Sequence, residues 1–336
     1  MMEENLISVV VCTYNQQDTI SRTLDAILMQ QCHVPFEIVI GEDCSTDDTL
    51  AVCQAYAEKH PDIIRLLANK PNKGTVNNYF DCILAARGQY IADCAGDDFW
   101  TDPLKLEKEV TILEEHPEVT LVHTDWHSFN ETTGYALPSA KKPFTDVFTE
   151  GRRMQEAIIT QTDVPVIHLC TSLYRRAIIV KWLKEDEQLF CHPDLGCEDL
   201  QVCFIMAQEG TIAYLSESTL NYSQGHDSVS ASVDHHKQFR FVRRVTAQSY
   251  DIAEKFGIHT PRTAEYFQQR VFALAMHALR AKDRALSQEA HECLQRWQVQ
   301  ETGKTKLVFA IMRHAWLWQA VLAVRKVFVS AKRALR

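Results

Sequence analysis

The stretch Ile91-Ala92-Asp93-Cys94-Ala95-Gly96-Asp97-Asp98-Phe99-Trp100 decides the fold, because an apolar run ends there in a glycine and two adjacent carboxylates. An apolar strand can lie inside a sheet, whereas charged side chains need its carboxyl end, where they reach solvent or a cation. Asp97 and Asp98 repel each other, and a hard divalent metal relieves that repulsion while it binds diphosphate oxygens. An isolated pair of this kind is more often a solvated turn, so its interpretation depends on the rest of the chain.

Strand and helix patterns alternate upstream of this stretch. Runs of β-branched and apolar residues predict central strands, and apolar residues at helical spacing predict the helices between them. This alternation indicates an open α/β sheet with right-handed crossovers. Ligands of such sheets bind outside the carboxyl ends of the strands, so Thr13, Asp43, Asn72 and Asp97 are expected around one crevice. The predicted strands cover residues 6–12, 36–40, 63–68 and 90–94, and the last helix among them covers residues 75–86.

Local motifs refine this prediction. Ser45 and Asp48, three residues apart, form a capping-box pattern and predict the start of the second helix. No G-x-G-x-x-G follows the first strand, and the chain has no Walker lysine motif. Neither a dinucleotide site nor a P-loop is therefore predicted.

The length and composition of the chain limit the number of domains and the kinds of partner. The 336 residues, 46% hydrophobic and 24% charged, allow one large domain with appendages or two modest ones. The acidic start lacks the regions of a signal peptide, which predicts a cytoplasmic protein. Residues 302–336 hold eight Lys or Arg and no Asp or Glu, and an acidic body with a basic tail argues against nucleic-acid binding.

The eleven cysteines form no C-x-x-C pair and are expected to be reduced thiols rather than disulfides or zinc ligands.

Five motifs follow one another in a specific order: VVVCTYN (9–15), GEDCSTDDT (41–49), NKG (72–74) with Asn78, GQYIA (88–92) and GDDFWTDPLKL (96–106). Together they resemble the family 2 glycosyltransferases, strongly over residues 6–125 and more weakly to about residue 230. The resemblance implies a GT-A fold, an α/β Rossmann-like nucleotide-binding sheet with helices on both faces. The predicted organisation is a catalytic domain over 1–235, with a nucleotide-sugar half (1–125) and an acceptor half (126–235), then a helical extension (236–300) and a basic amphipathic C-terminal helix (301–336).

The resemblance also implies roles for individual residues. Thr13 and Asp43 would contact the nucleotide base, with Asp43 accepting a hydrogen bond from a uracil-type imide. Asp98 would bind a divalent cation, Mn²⁺ or Mg²⁺, with Asp97 close to both the metal and the ribose and with His226 offered from a later loop. The full set predicted for the donor is Thr13, Tyr14, Asn15, Glu42, Asp43, Asn72, Asn78 and Asp97.

The chain departs from the family pattern at Ala95, where the first acid of the metal-binding motif commonly stands. Asp93 cannot replace it, because it lies about 7 Å further back along the strand. The loss leaves two alternatives open. Asp98 and the diphosphate could hold the metal between them, or the chain could be a catalytically lapsed module that binds a nucleotide sugar or acts as a scaffold.

A second acidic pair, Glu198 and Asp199, resembles the family's pair at the start of a helix. Inverting transfer needs a base that takes the proton of the attacking hydroxyl. Asp199 is predicted to be that base with Glu198 assisting, Asp194 is the reserve candidate, and the alternative is a pair that only stabilises the helix dipole. The polar stretch 129–151 is expected to border the acceptor site, and residues 168–174 are predicted to form a strand.

These observations predict an inverting hexosyl- or N-acetylhexosaminyl-transferase. It would move a sugar from a nucleoside-diphosphate donor, UDP-linked, to a saccharide or lipid-linked acceptor in cell-surface polysaccharide synthesis. A nucleotidyltransferase is less well supported, because the basic Gly-rich loop it needs after the first strand is absent. Residues 304–336 carry an apolar face beside a basic one, which predicts contact with the inner membrane surface or, alternatively, packing on protein.

Overall fold

The computed structural model describes residues 3–139, 144–160, 166–186, 189–190, 192, 194–224, 233–314 and 319. The chain forms two compact units, residues 1–226 and 227–336.

The first unit alternates strands and helices, as predicted. Its first half contains β1 (Glu3–Thr13), α1 (Ile20–Leu28), β2 (Phe36–Glu42), α2 (Thr49–Lys59), β3 (Ile64–Ala68), α3 (Thr75–Ala85), β4 (Gly88–Asp93) and β5 (Phe99–Trp100). Its second half contains α4 (Lys105–Glu115), β6 (Val119–Asn130), β7 (Ala136–Pro138), β8 (Phe148–Glu150), α5 (Gln155–Ile159), β9 (Ser172–Arg175), α6 (Arg176–Glu185), α7 (Asp199–Glu209) and β10 (Thr211–Gln224).

One sheet runs through this unit in the order β3-β2-β1-β4-β9-β6-β10-β5, with β7 paired to β6 and β8 to β10. The four strands β3, β2, β1 and β4 are parallel, which confirms the predicted open α/β sheet. β9 inserts antiparallel between β4 and β6. The strand order reverses at β1, since β2 lies on one side of it and β4 on the other, and ligands of α/β sheets bind at such a reversal.

The core explains why the first strand reads as a continuous apolar run. Ile7, Val9, Val10 and Val11 are all 2% exposed or less, because helices cover both faces of a parallel sheet. Burial of each such side chain stabilises the fold by about 1.5–3 kcal/mol. The strand is therefore a rigid base for the polar residues that follow Thr13.

One local prediction is wrong, and another is correct only in part. No capping box opens α2: Ser45 Oγ accepts from the backbone N–H of Asn15 (3.0 Å), and Asp47 Oδ1 accepts from the N–H of Thr49 (3.0 Å) instead. The strand predicted over residues 168–174 is only β9, preceded by a 3₁₀ turn over Leu169–Thr171. Hydroxyl groups cause this turn, since Ser172 Oγ donates back to the carbonyl of Leu169 (2.7 Å) and such bonds compete with strand pairing.

The second unit is helical, as expected for the extension. Its helices are α8 (His235–Phe256), α9 (Pro261–Ala281), α10 (Arg284–Arg296) and α11 (Gly303–Arg313). The side chains of Asp234, Thr260, Asp283 and Thr302 cap their first turns. Most of the predicted C-terminal helix, like His226, lies outside the described residues. Among the helices that are described, none is long and apolar enough to span a membrane.

Candidate functional site

The loop after β1 is tied to the loop after β2 by Asn15. Its side-chain Oδ1 accepts from the backbone N–H of Thr46 (2.8 Å), and its backbone has a positive φ of 52°, which Asn tolerates better than most residues. Thr13 Oγ1 donates to Gln16 Oε1 (2.8 Å). Tyr14 is 46% exposed beside them. Of the residues at this strand end, Tyr14 is therefore exposed whereas Thr13 is buried, at 3% exposure.

Asp43 is the centre of a hydrogen-bonded loop. Its Oδ1 accepts from the N–H of Lys73 (2.8 Å) and its Oδ2 from the N–H of Gly74 (2.8 Å). Asn69 Nδ2 donates to Oδ1 as well (3.0 Å), and Asn72 Nδ2 donates to the carbonyl of Asp43 (2.7 Å). The two loops after β2 and β3 are therefore held together by the carboxylate predicted to bind the base.

Glu42 and Asn78 are buried, at 1% and 2% exposure. Glu42 Oε1 accepts from the N–H of Ser45 (2.7 Å), and Asn78 Nδ2 donates to the carbonyl of Gly41 (2.7 Å). These bonds support the loop that carries Asp43. A contact between either side chain and a nucleotide stays a prediction.

The acidic loop lies directly against the end of β1. A Cβ at Gly96 would come within 2.5 Å of Gln16 Oε1 and 2.8 Å of Thr13 Oγ1, so only glycine permits this approach. The N–H of Gly96 donates to the carbonyl of Cys12 (3.1 Å). The predicted meeting of the first strand and the acidic loop is thus a close backbone contact.

Asp98 is 1% exposed, and its two oxygens differ. Oδ1 accepts from the N–H of Ser223 on β10 (2.9 Å), whereas Oδ2 is buried without a hydrogen-bond partner. Burial, and then the neighbouring Asp97 carboxyl, raise the pKa of Asp98 well above its usual value, although the Ser223 N–H and the Cys170 thiol lower it. A buried acceptor with no donor fits a cation ligand, so the site is compatible with the divalent metal that the resemblance implies.

Ala95 adds no ligand to this loop, and Asp93 lies further back, at the end of β4. Ala95 has no polar side chain, and its N–H faces Cys170 Sγ at 3.4 Å. Asp93 is 4% exposed at the end of β4. Burial, followed by the nearby Asp199 and Glu198 carboxyls, raises the pKa of Asp93 well above its usual value, although the hydroxyls of Tyr79 and Tyr174 lower it.

Three residues that sequence reasoning missed hold the acidic loop. Arg22 Nη2 donates to the carbonyl of Asp97 (3.0 Å), Ser223 Oγ donates to the same carbonyl (2.6 Å), and Thr23 Oγ1 donates to the carbonyl of Asp98 (2.6 Å). Arg22 and Thr23 lie on α1 and Ser223 on β10. Their separation of 75 to 126 residues from the loop leaves no short-range signal by which the sequence could reveal them.

Glu198 and Asp199 begin α7, as predicted, and both are partly exposed. Burial raises the pKa of Asp199 to about 6, and burial together with the Asp199 charge raises the pKa of Glu198 to about 8. Both pKa values are therefore raised, and an ionised carboxyl of this pair can accept a proton near neutral pH. Asp194 is exposed, in a turn where its N–H donates to His192 Nδ1 (3.1 Å).

Tyr222 connects the two acidic pairs. Burial raises the pKa of its hydroxyl to about 12, with further contributions from Asp98, Asp97 and Asp199. All three carboxyls therefore lie within electrostatic reach of one side chain, whose ring also contacts His168 (4.8 Å between ring centres). Asp97, Asp98 and Asp199 thus all lie close enough to Tyr222 to influence its pKa.

Solved structures share this architecture. S. aureus TarS (residues 1–349), in complex with UDP-GlcNAc, superimposes with a TM-score of 0.53 at 18% identity, over 87% of this chain and 92% of that one. The mannosyltransferase PcManGT of Pyrobaculum calidifontis, in complex with GDP-Man and Mn²⁺, gives a TM-score of 0.50 at 18% identity, over 96% and 82% of the chains. At these identities the likeness concerns the fold, which is GT-A.

Sequence relatives match part of the chain. The uncharacterised protein Rv1520 of Mycobacterium tuberculosis is 43% identical over 115 residues, 34% of this chain and 33% of that protein. The putative glycosyltransferase EpsE of Bacillus subtilis is 35% identical over 140 residues, 41% and 50% of the two. The matches thus span between a third and half of these relatives. Residues 8–183, just over half of the chain, match the model of Glycosyl transferase family 2, and the chain therefore belongs to that family.

Proposed function

We propose that this protein is an inverting glycosyltransferase that takes a UDP-linked hexose or N-acetylhexosamine. The sugar would pass to a saccharide or lipid-linked acceptor of a cell-surface polysaccharide. One observation carries the proposal: the buried, unpartnered Oδ2 of Asp98 and the carboxyl of Asp199 both lie within electrostatic reach of Tyr222. In this proposal the cation-binding group and the base would lie on the two sides of the reacting sugar.

The donor would bind across the loops after β1, β2 and β3. Tyr14 is exposed next to the buried Thr13, and Asp43 fixes the loop that carries Asn72. An Asp43 oxygen has lone pairs left to accept a further bond from an imide N–H. The complex of TarS with UDP-GlcNAc supports a uridine donor, whereas the complex of PcManGT with GDP-Man makes guanosine the alternative to test.

Asp98 and Asp97 would hold the divalent cation, and a bound cation would neutralise charge on the leaving diphosphate. The protein's own part is to keep the ligands rigid. The Ser223 N–H fixes Asp98 Oδ1, and Arg22 fixes the Asp97 carbonyl. The ligands are therefore already oriented before the donor arrives.

Asp199 would accept the proton of the acceptor hydroxyl as its oxygen attacks the anomeric carbon. Its position in the first turn of α7 stabilises the anion through the helix dipole. Glu198 keeps its proton to higher pH, since its pKa is about 8, so it can donate a hydrogen bond to the acceptor.

The test is a thermal-shift screen with UDP-, GDP-, dTDP- and CMP-sugars, each with and without Mn²⁺, followed by donor hydrolysis assays. Bound ligand raises the melting temperature according to its affinity, so we expect a Mn²⁺-dependent rise with one UDP-sugar. Asp98→Ala should abolish that rise and the hydrolysis. Asp62→Ala, an exposed carboxylate before β3, is the control. Metal-independent binding without turnover would instead support the lapsed module, with Ala95 as the cause.

We also propose that residues 304–336 contact an anionic membrane surface. Leu307, in the described part of this segment, is 62% exposed, and each basic residue near such a surface contributes about 1 kcal/mol. Sedimentation with vesicles of phosphatidylglycerol or phosphatidylcholine tests this. Binding should require the anionic lipid and weaken in Lys332→Glu/Arg333→Glu but not in Lys255→Glu. Equal recovery with both lipids would contradict the proposal.

A further inference from the structure

A thiol, an imidazole and two carboxylates meet between the α1–β2 loop and α4. His33 Nδ1 lies 2.7 Å from Glu107 Oε2, and His33 Nε2 lies 3.0 Å from Glu114 Oε2. Glu107 and Glu114 are two helical turns apart and share one face of α4. The Cys32 sulfur, a ring nitrogen of His33 and a Glu107 oxygen all lie within 4.8 Å of one another.

This combination of atoms is selective for a class of metal. Zinc takes thiolate, imidazole and carboxylate ligands together, whereas Mg²⁺ and Ca²⁺ prefer oxygen alone. We propose that Cys32, His33 and Glu107 bind Zn²⁺ through Sγ, Nδ1 and Oε2, and that Glu114 orients the imidazole. Three protein ligands leave the fourth position of the tetrahedron to water or an external ligand.

Glu114 distinguishes this cluster from an ordinary ion pair. A metal-binding histidine usually donates its other ring N–H to a carboxylate, which fixes the tautomer and the ring orientation. Glu114 occupies that position on Nε2, which leaves Nδ1, the nitrogen beside Glu107, as the one to bind the metal. The Glu107 Oε2 also accepts a hydrogen bond from the backbone N–H of His33 (2.9 Å). This bond fixes the position of the carboxylate.

Metal binding must displace protons from this cluster. Hydrogen bonds to the Glu107 carboxylate and then to the Glu114 carboxylate raise the pKa of His33. Burial raises the pKa of Cys32 to about 11. Zn²⁺ binds the thiolate form of cysteine and an unprotonated ring nitrogen, so its binding to this cluster would depend on pH and release protons.

The same two segments are already joined near the acidic loop. Gln30 Nε2 donates to the carbonyl of Asp102 (2.7 Å), and the N–H of Gln31 donates to the carbonyl of Pro103 (2.8 Å). Asp102 and Pro103 lie between the acidic loop and α4. A zinc ion would add a further tie between the loop and the helix, and so stabilise the folded state by linkage. This inference does not depend on the proposed transferase reaction.

The experiment is a titration of the full-length, reduced, metal-free protein with Co²⁺ and then Zn²⁺. We expect one equivalent of Co²⁺ to give a thiolate-to-cobalt charge-transfer band and tetrahedral ligand-field bands, which Zn²⁺ removes. Cys32→Ser should abolish the charge-transfer band, and Glu114→Gln should weaken Co²⁺ affinity by about 10–100-fold. Zn²⁺ should raise the melting temperature of the wild type and not that of Cys32→Ser.

Two variants serve as matched controls. Cys44→Ser removes an exposed thiol elsewhere, and His116→Gln removes another exposed histidine paired with a carboxylate, Glu118 (3.1 Å); neither should change the spectra. Circular dichroism confirms that each variant folds, and Glu107→Gln replaces Cys32→Ser if that variant does not. The proposal is overturned if no thiolate band appears in the wild type, or if the band persists in Cys32→Ser.

Discussion

The backbone N–H of Ser223 donates a 2.9 Å hydrogen bond to Oδ1 of Asp98, across 125 residues of sequence. The bond uses one oxygen of the carboxylate and leaves the buried Oδ2 free of hydrogen-bond partners. It also joins the last long strand of the sheet to the acidic loop. The geometry of the proposed metal site is therefore set by β10 as well as by β4.

Ser223→Ala should weaken metal binding without removing a ligand. The hydroxyl donates to the Asp97 carbonyl (2.6 Å) and accepts from Arg22 Nη2 (3.1 Å), so its loss loosens the acidic loop. Loss of a group that orients metal ligands typically costs about 10–100-fold in metal affinity. The measurement is the Mn²⁺ concentration at which the donor-induced rise in melting temperature reaches half its maximum.

Ser218→Ala is the control for that experiment. Ser218 lies on the same strand, but its hydroxyl pairs with His127 Nδ1 (2.8 Å) and makes no hydrogen bond with the acidic loop. Its Mn²⁺ dependence should match that of the wild type. If the two variants behave alike, the Ser223 hydroxyl does not position the metal ligands.

The reaction rate should rise with pH through the pKa of Asp199. The base acts only when ionised, and burial raises its pKa to about 6. Below about pH 6, kcat/KM should therefore fall tenfold per pH unit, and above it the value should level off. Asp199→Asn should lower kcat by about 10²–10⁴-fold, while Asp194→Asn, at the exposed reserve position, should retain the wild-type profile. A large loss in Asp194→Asn alone would move the base to that residue.

The sequence predicted those site residues that lie at the carboxyl ends of strands. The apolar run before Thr13 and the glycine before Asp97 are local patterns, and the parallel sheet brings them together by its geometry. The partners of these residues were not predictable in the same way. Ser223 meets Asp98 only because β10 returns past β6 to pair with β5, and no periodicity encodes that return.

Competition between hydrogen bonds explains a second group of differences. Ser45 has the spacing of a capping box, but its hydroxyl accepts from Asn15 instead. Cys32 and Glu107 likewise belong to segments far apart in sequence, so the absence of a C-x-x-C pair said nothing about their proximity. Local patterns therefore predicted the elements, and tertiary contacts decided what their polar residues bind.

Asp93→Asn should change how stability depends on pH. Burial raises the folded-state pKa of Asp93 above its unfolded value, so its stabilising contribution is complete below the unfolded pKa and is lost as pH rises towards the folded pKa. The amide variant cannot ionise. As the pH rises above the unfolded pKa of about 4, the wild type should lose up to about 1.4 kcal/mol per pH unit relative to Asp93→Asn, as measured by urea unfolding.

Asp102→Asn provides a control of the opposite sign. Its pKa is lowered, despite partial burial, by hydrogen bonds from Lys108 and the N–H of Leu104. Its contribution is therefore present above the unfolded pKa and is lost as pH falls through the folded pKa. The variant should be less stable than the wild type near pH 7 and converge with it in acid. If the stability of both variants, relative to the wild type, changed with pH in the same direction, the pKa of Asp93 would not be raised in the folded state.

Lys105→Met should be strongly destabilising, because it leaves a buried charge unpaired. Lys105 Nζ lies 2.5 Å from Glu109 Oε2, and both side chains are fully buried. Burial raises the pKa of Glu109 to about 7, and the positive charge of Lys105 limits that rise. Removal of one partner of such a pair typically costs about 3–5 kcal/mol. Lys73→Met, at an exposed pair with Asp81, should change the free energy of unfolding little.

The double variant Lys105→Met/Glu109→Leu separates the two sources of that cost. If the unpaired carboxylate dominates, replacing both residues with apolar ones should recover most of the loss. The Lys105 ammonium also lies 4.6 Å from the centre of the Trp100 ring, and Trp100 donates to the Cys170 carbonyl (2.9 Å) beside the acidic loop. A double variant that regains stability in urea but binds Mn²⁺ and donor more weakly would therefore assign Lys105 a role in positioning the loop. Equal losses of stability in the single and double variants would mean that the ion pair itself stabilises the fold.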